Sequence, residues 1–125
     1  METTTLYRPV GQREFELIAE SNYTAFPPRL VGQPIFYPVL TEEYARHIAE
    51  RWNTDDEFSG YVGHVLRFEV RNDFLARYEV QKVGDRTALE YWIPAEELPE
   101  FNRQIVGRIE VVASYRREGL QPNGS

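Results

Sequence analysis

The chain has 125 residues, of which 42% are hydrophobic and 27% charged, and its formal net charge is −6. This length suits one domain, and the composition is that of a globular protein, which excludes wholesale disorder and a membrane-embedded chain. The acidic balance repels phosphate backbones, so binding of nucleic acid through bulk electrostatics is not expected, although a local basic cleft is still allowed.

Several classes of site lack their chemical parts in this sequence. No cysteine is present, which excludes disulfides and thiolate chemistry, and His47 and His64 are too few for a histidine-rich metal site. The glycine-rich, nucleophile-elbow and HExxH motifs are also missing. The first five residues do not resemble a signal peptide, and no apolar run approaches the roughly 18 residues of a membrane span. We expect a cytoplasmic protein with no membrane segment and no metal.

The first half of the chain predicts two strands and two helices around a stiff loop. Phe15, Ile18 and Ala19 share one face of a predicted helix, and residues 26–34 contain three prolines, which exclude a central strand. Thr41 is expected to cap a helix with an apolar stripe at Tyr44, Ile48 and Trp52. The predicted elements are a strand at 3–10, a helix at 12–20, a strand at 35–37 and a helix from 42, ending in a polar surface loop at 53–57.

The second half is dominated by strands. Residues 60–70 alternate between apolar and polar side chains, the period of a half-buried strand, with His64 on the apolar face. The remaining predicted elements are a helical turn at 72–77, strands at 78–83 and 89–93, a short helix at 95–104 and a long strand at 105–115. Together they predict an α+β fold in a single domain, residues 1–117, followed by a flexible tail at 118–125.

Three segments carry a family resemblance: Leu6–Gly11, Ile35–Pro38 with the following Tyr44-Ala45, and Leu89–Pro94. In this order they resemble the three signature strands of ADP-ribosyltransferase-like domains. The chain is also similar to small bacterial proteins labelled as ADP-ribosylation or crystallin-like. The resemblance implies a split, mostly antiparallel β-core, in which two packed sheets form a central cleft that holds NAD.

The resemblance also implies roles for individual residues. Arg8 contacts the ribose or diphosphate of NAD, Tyr37 packs the nicotinamide with Tyr44 as stacking partner, and Glu90 polarises the nicotinamide ribose. A carboxylate suits this last role because cleavage of the nicotinamide–ribose bond builds positive charge on the ribose. Glu110 is the rival catalytic acid. Two further residues are expected at the cofactor: Arg29, from the proline-rich loop, and His64.

Two functions follow as expectations. The first is an NAD-dependent ADP-ribosyltransferase, or an NAD-cleaving enzyme, whose acceptor is unknown. The second is a catalytically inactive module of the same fold that binds a nucleotide or a protein partner. The expected partners are therefore NAD and an unidentified acceptor or protein.

Overall fold

The secondary structure follows the predicted order closely. The computed structural model describes residues 2–117, so the tail expected at 118–125 lies outside the described range. Its strands and α-helices are β1 (Thr3–Val10), α1 (Gln12–Glu20), β2 (Ile35–Phe36), α2 (Glu42–Arg51), β3 (Val62–Arg71), α3 (Asn72–Leu75), β4 (Val80–Lys82), β5 (Leu89–Tyr91), β6 (Ile93–Pro94), α4 (Leu98–Arg103) and β7 (Ile105–Arg116). The α+β class is confirmed. The segment 53–59, expected to begin as an open polar loop, forms two short 3₁₀ turns instead.

All strand pairs are antiparallel, in line with the prediction of a mostly antiparallel core. The order β1-β3-β7 makes a three-stranded sheet, while β2 pairs with β6 and β4 pairs with β5. The β4–β5 ladder is joined edge to edge to the β1-β3-β7 sheet, while β2 and β6 form a ladder of their own. Val39 exchanges two backbone hydrogen bonds of 2.8 Å with Tyr7 and bridges Glu90 on its other side. The hydrogen bonds to β5 come from the neighbours of Val39, because Leu40 N donates to the Leu89 carbonyl and the Pro38 carbonyl accepts from Tyr91 N, both at 2.9 Å. Residues 38–40 therefore connect β1 to β5.

Two apolar clusters cover the two faces of the central sheet. The larger contains five buried phenylalanines, which contact one another edge to face. In the smaller, Ala45 and Ala49 of α2 pack against Val39 and Val65. A Cβ atom at Gly63 would lie 2.5 Å from the carbonyl oxygen of Ala49, so glycine is required for this close approach of α2 to β3.

The predicted cap of α2 is confirmed. Thr41 Oγ1 accepts a hydrogen bond from the Tyr44 backbone amide at 3.2 Å and donates to the Thr87 carbonyl at 2.8 Å. Because Ala45 and Ala49 face the sheet, the apolar stripe that begins at Tyr44 lies on a different side of the helix. None of the helices within residues 2–117 has the length and apolar character needed to cross a membrane.

Candidate functional site

A cavity of about 900 Å³ lies between α1 with the proline-rich loop on one side and α2 on the other. Strand ends of β1, β2 and β5 contribute to its wall. The apolar stripe that begins on α2, Tyr44, Ile48 and Trp52, lines this cavity, and Tyr44 also packs against the smaller apolar cluster. Because α2 has apolar residues on two sides, one side packs on the central sheet and the other lines the cavity.

The pairing of residues 35–40 with 89–94 decides which side chains face the cavity. Its register is set by two residue pairs, Phe36 with Ile93 and Val39 with Glu90, which place Tyr37 opposite Trp92. Alternate side chains of extended strands point to opposite faces. Tyr37, Glu90 and Trp92 accordingly line the cavity together with Val39, whereas Phe36 and Ile93 belong to the phenylalanine cluster.

Arg8 is buried at the end of β1, and its guanidinium is held on three sides. Its Nε and Nη2 donate to the two carboxylate oxygens of Glu14 at 2.8 and 3.1 Å, and Nη1 donates to the Tyr37 carbonyl at 3.3 Å. The Cζ atom also lies 4.6 Å from the centre of the Phe36 ring. This two-bond arginine–carboxylate geometry fixes the orientation of the guanidinium at the cavity wall.

Arg29 brings a second guanidinium to the same region. Its Nε donates to the Ile35 carbonyl at 3.1 Å, and its Cζ lies 5.9 Å from the Phe36 ring. Burial, followed by the neighbouring charge of Arg8, lowers the pKa of Arg29, which nevertheless remains protonated. Glu14 is paired with Arg8, and its charge only raises the pKa of Arg29 from a distance, so two guanidinium groups face one carboxylate and this end of the cavity suits an anion.

Glu90 is positioned by a neighbouring indole. Its Oε1 accepts a hydrogen bond from Trp92 Nε1 at 2.7 Å, and both side chains line the cavity. The pKa of Tyr44 is raised, first by burial and then by the negative charges of Glu90 and Asp85. Glu90 therefore acts as an oriented negative charge close to the Tyr44 ring.

Sequence reasoning missed a polar group at the far end of α2, which we call the Asn53 cluster: Asn53, Asp56 and Ser59. All three line the cavity. Asn53 Nδ2 donates to Ser59 Oγ at 2.9 Å, and Ser59 Oγ donates to Asp56 Oδ2 at 2.6 Å. The local sequence looked like a solvated loop, and only the aromatic residues beside it, Trp52 and Phe58, hinted at a binding surface.

The structure brings five of the predicted site residues to one cavity: Arg8, Arg29, Tyr37, Tyr44 and Glu90. His64 does not line it, contrary to expectation. Its ring stacks on Phe15 at 4.2 Å, and its two nitrogens bond Ser114 Oγ at 2.8 Å and Gln12 Oε1 at 2.9 Å. The apolar side of β3 faces α1 at this position, so His64 joins the helix to the sheet.

Glu110, the rival acid, also lies outside the cavity lining. It is exposed on β7 and pairs with Arg67 of β3 at 3.1 Å. Across the part of the chain that the structure describes, no three His, Cys, Asp or Glu side chains group in a way that would hold a metal ion. The polar and aromatic side chains that line the cavity carry guanidinium, carboxylate, amide, hydroxyl and aromatic groups.

No family model, no curated protein and no solved structure matches this chain. Its function is therefore inferred from the residues that meet in the cavity.

Proposed function

We propose that this chain is a cytoplasmic, ADP-ribosyltransferase-like protein that binds NAD and cleaves the nicotinamide–ribose bond, with an acceptor still to be identified. One observation carries the proposal. A single cavity combines a cationic end, flat aromatic walls and an oriented carboxylate, contributed by residues far apart in sequence: Arg8, Arg29, Tyr37, Tyr44 and Glu90. These are the three chemical features that a dinucleotide with a scissile glycosidic bond requires.

The cationic end suits the diphosphate of NAD. Within residues 2–117 the Arg29 side chain donates one hydrogen bond, from Nε to the Ile35 carbonyl, so the donors of its two terminal nitrogens remain available, and Arg29 lines the cavity. Arg8 adds charge but is largely committed to Glu14. We assign direct contact with the diphosphate to Arg29, and the shaping of the anion site to Arg8.

Glu90 is the residue proposed to act on the reacting ribose. When the bond between ribose C1′ and the nicotinamide nitrogen breaks, the electron pair leaves with neutral nicotinamide and positive charge develops on the ribose. A carboxylate beside C1′ stabilises that charge, and the hydrogen bond from Trp92 keeps it oriented. Water or an acceptor hydroxyl or amine then bonds to C1′ and releases one proton.

Nicotinamide release by Glu90→Gln protein tests the proposal. The amide retains the oxygen that accepts from Trp92, so the fold and NAD binding should persist while turnover falls by about a hundredfold or more. Glu110→Gln is the matched control, because Glu110 is exposed and lies outside the cavity lining. Equal turnover in the wild type and Glu90→Gln would remove Glu90 from the chemistry.

The committed state of Arg8 favours a second candidate, a catalytically inactive module of the same fold. Three of its donors are already used within the protein, which leaves it little capacity to hold a transition state. In this alternative the cavity binds a nucleotide or a protein segment without chemistry. Measurable NAD binding by calorimetry with no nicotinamide release from the wild type would select it.

A further inference from the structure

The hydrogen bonds within the Asn53 cluster settle which way the Asn53 amide points. An ionised carboxylate only accepts, so the single hydroxyl proton of Ser59 is committed to Asp56. Ser59 Oγ must then accept from Asn53, which turns the amide NH₂ group toward Ser59. The carbonyl oxygen Oδ1 of Asn53 therefore points away from the cluster.

That oxygen has no hydrogen-bond partner in the part of the protein that the structure describes, although Asn53 is only 5% exposed. A buried acceptor without a donor costs free energy, which a donor brought by a ligand would recover. The turn that carries Ser59, the hydrogen-bond partner of Asn53, is held in place by α1. A Cβ atom at Gly11 would lie 2.6 Å from Ser59 Cα, so the start of α1 packs tightly against it.

Two large aromatic side chains stand beside this acceptor in the sequence and line the same cavity. Trp52 precedes Asn53 and is 62% exposed, and Phe58 precedes Ser59 and is 76% exposed. Exposed side chains of this size reorient quickly and offer flat faces for a planar ring. They supply a stacking surface for a ligand ring, and because Oδ1 itself has no exposed surface, a ligand donor reaches it only after a neighbouring side chain moves aside.

We propose that Asn53 is a specificity-determining residue, whose Oδ1 accepts a hydrogen bond from an N–H group on a planar heteroaromatic ring packed against Trp52 and Phe58. The choice of NAD as the source of this ring rests on the proposed function. NAD carries two groups with this chemistry, the amino group of adenine and the carboxamide of nicotinamide. Both present an N–H in the plane of a stacking ring.

Two pairs of mononucleotides distinguish these sources. AMP and purine riboside 5′-monophosphate differ by the amino group on C6 of the purine, and nicotinamide mononucleotide and nicotinic acid mononucleotide differ at the carboxamide. Dissociation constants are measured by calorimetry for the wild type and for Asn53→Leu, which has similar volume and no polar atom. In one of the two pairs, the wild type should bind the member that carries the N–H group about tenfold more tightly than the other. In Asn53→Leu the ratio of the two dissociation constants should fall to about one.

Thr54→Val is the matched control, because Thr54 lies in the same 3₁₀ turn but outside the cavity lining. Both affinity ratios should keep their wild-type values in this variant. If Asn53→Leu does not fold, NMR titration of the ¹⁵N-labelled wild type with the mononucleotides tests the inference through the side-chain amide resonances of Asn53. They should shift with the preferred mononucleotide and not with its partner.

Equal affinities within both pairs in the wild type would overturn the inference, as would a preference that survives in Asn53→Leu or a failure of all four mononucleotides to bind. Failure of the proposed function has a different signature. NAD would then not be cleaved while the Asn53-dependent preference is still observed. Conversely, NAD cleavage without any preference would retain the function and remove Asn53 from ligand recognition.

Discussion

Arg8 and Glu14, six residues apart in sequence, form a two-bond ion pair that joins the end of β1 to the first turns of α1. Arg8 is buried and the Glu14 side chain is 23% exposed. Removing one partner leaves the other charge poorly solvated, so Glu14→Ala should lower the free energy of unfolding by about 2 kcal/mol. Urea denaturation measures this loss.

Glu16→Ala is the control for that measurement. Glu16 sits on the same helix and pairs with Arg13 at 3.4 Å, but their side chains are 48% and 69% exposed. Its removal should cost less than about 0.5 kcal/mol. Equal losses in the two variants would show that the Arg8–Glu14 pair is no stronger than a surface contact.

The pH dependence of stability should carry a signature of His64. Burial, and then the charge of Arg116, lower the pKa of His64 below its usual 6.5. The unfolded chain therefore binds a proton more readily than the folded protein. The contribution of His64 is fully present above about pH 6.5 and is lost as the pH falls from there toward the folded-state pKa.

Urea unfolding midpoints measured at about pH 7.5 and about pH 5.5 test this expectation. Carboxylates contribute little to the change in stability between these two pH values. His64→Gln should show a smaller drop between the two pH values than the wild type. His47→Gln should behave as the wild type, because His47 is exposed on α2. A wild-type drop that persists in His64→Gln would assign the effect to other groups.

Elements with strong local signals were predictable from the sequence. The β-prone residues and turn residues around β1, and the helical spacing of apolar residues in α1, predicted both elements with their observed bounds. The Thr41 cap was predictable because its side chain bonds an amide only three residues away. These signals come from residues that are close together in the sequence, so they can be recognised without knowledge of the fold.

Features that depend on distant pairing were not predictable. Val39 joins β1 to β5 through backbone atoms, and backbone hydrogen bonds leave no mark on residue type. Glu14 as the partner of Arg8, and the unpaired oxygen of Asn53, appear only when α1 and the turns after α2 are packed together.

Arg29 should matter for anionic ligands more than for stability. Arg29→Gln removes a positive charge that lines the proposed anion site, so the affinity for NAD or inorganic pyrophosphate should fall about tenfold at low salt. The difference from the wild type should shrink as ionic strength rises. Calorimetric titration measures both effects.

Arg46→Gln is the control for this charge change. Arg46 lies on α2, pairs with Glu42 at 2.7 Å and is not part of the cavity lining. Its replacement should leave both affinities at the wild-type value. If Arg29→Gln binds pyrophosphate as well as Arg46→Gln does, Arg29 is not the contact for the diphosphate.

Tyr44 tests whether the aromatic wall binds nicotinamide or merely completes the fold. Its ring packs at the edge of the smaller apolar cluster and also lines the cavity. Because the ring is only partly buried, Tyr44→Ala should lower stability by roughly 1–2 kcal/mol while weakening NAD binding about tenfold. Tyr91→Ala is the matched control, because Tyr91 is buried in the phenylalanine cluster and lies outside the cavity lining. This variant should lose roughly 3 kcal/mol or more of the free energy of unfolding. The NAD affinity of the folded variant should stay at the wild-type value. Unchanged NAD affinity in folded Tyr44→Ala protein would end the assignment of this ring to the nicotinamide wall.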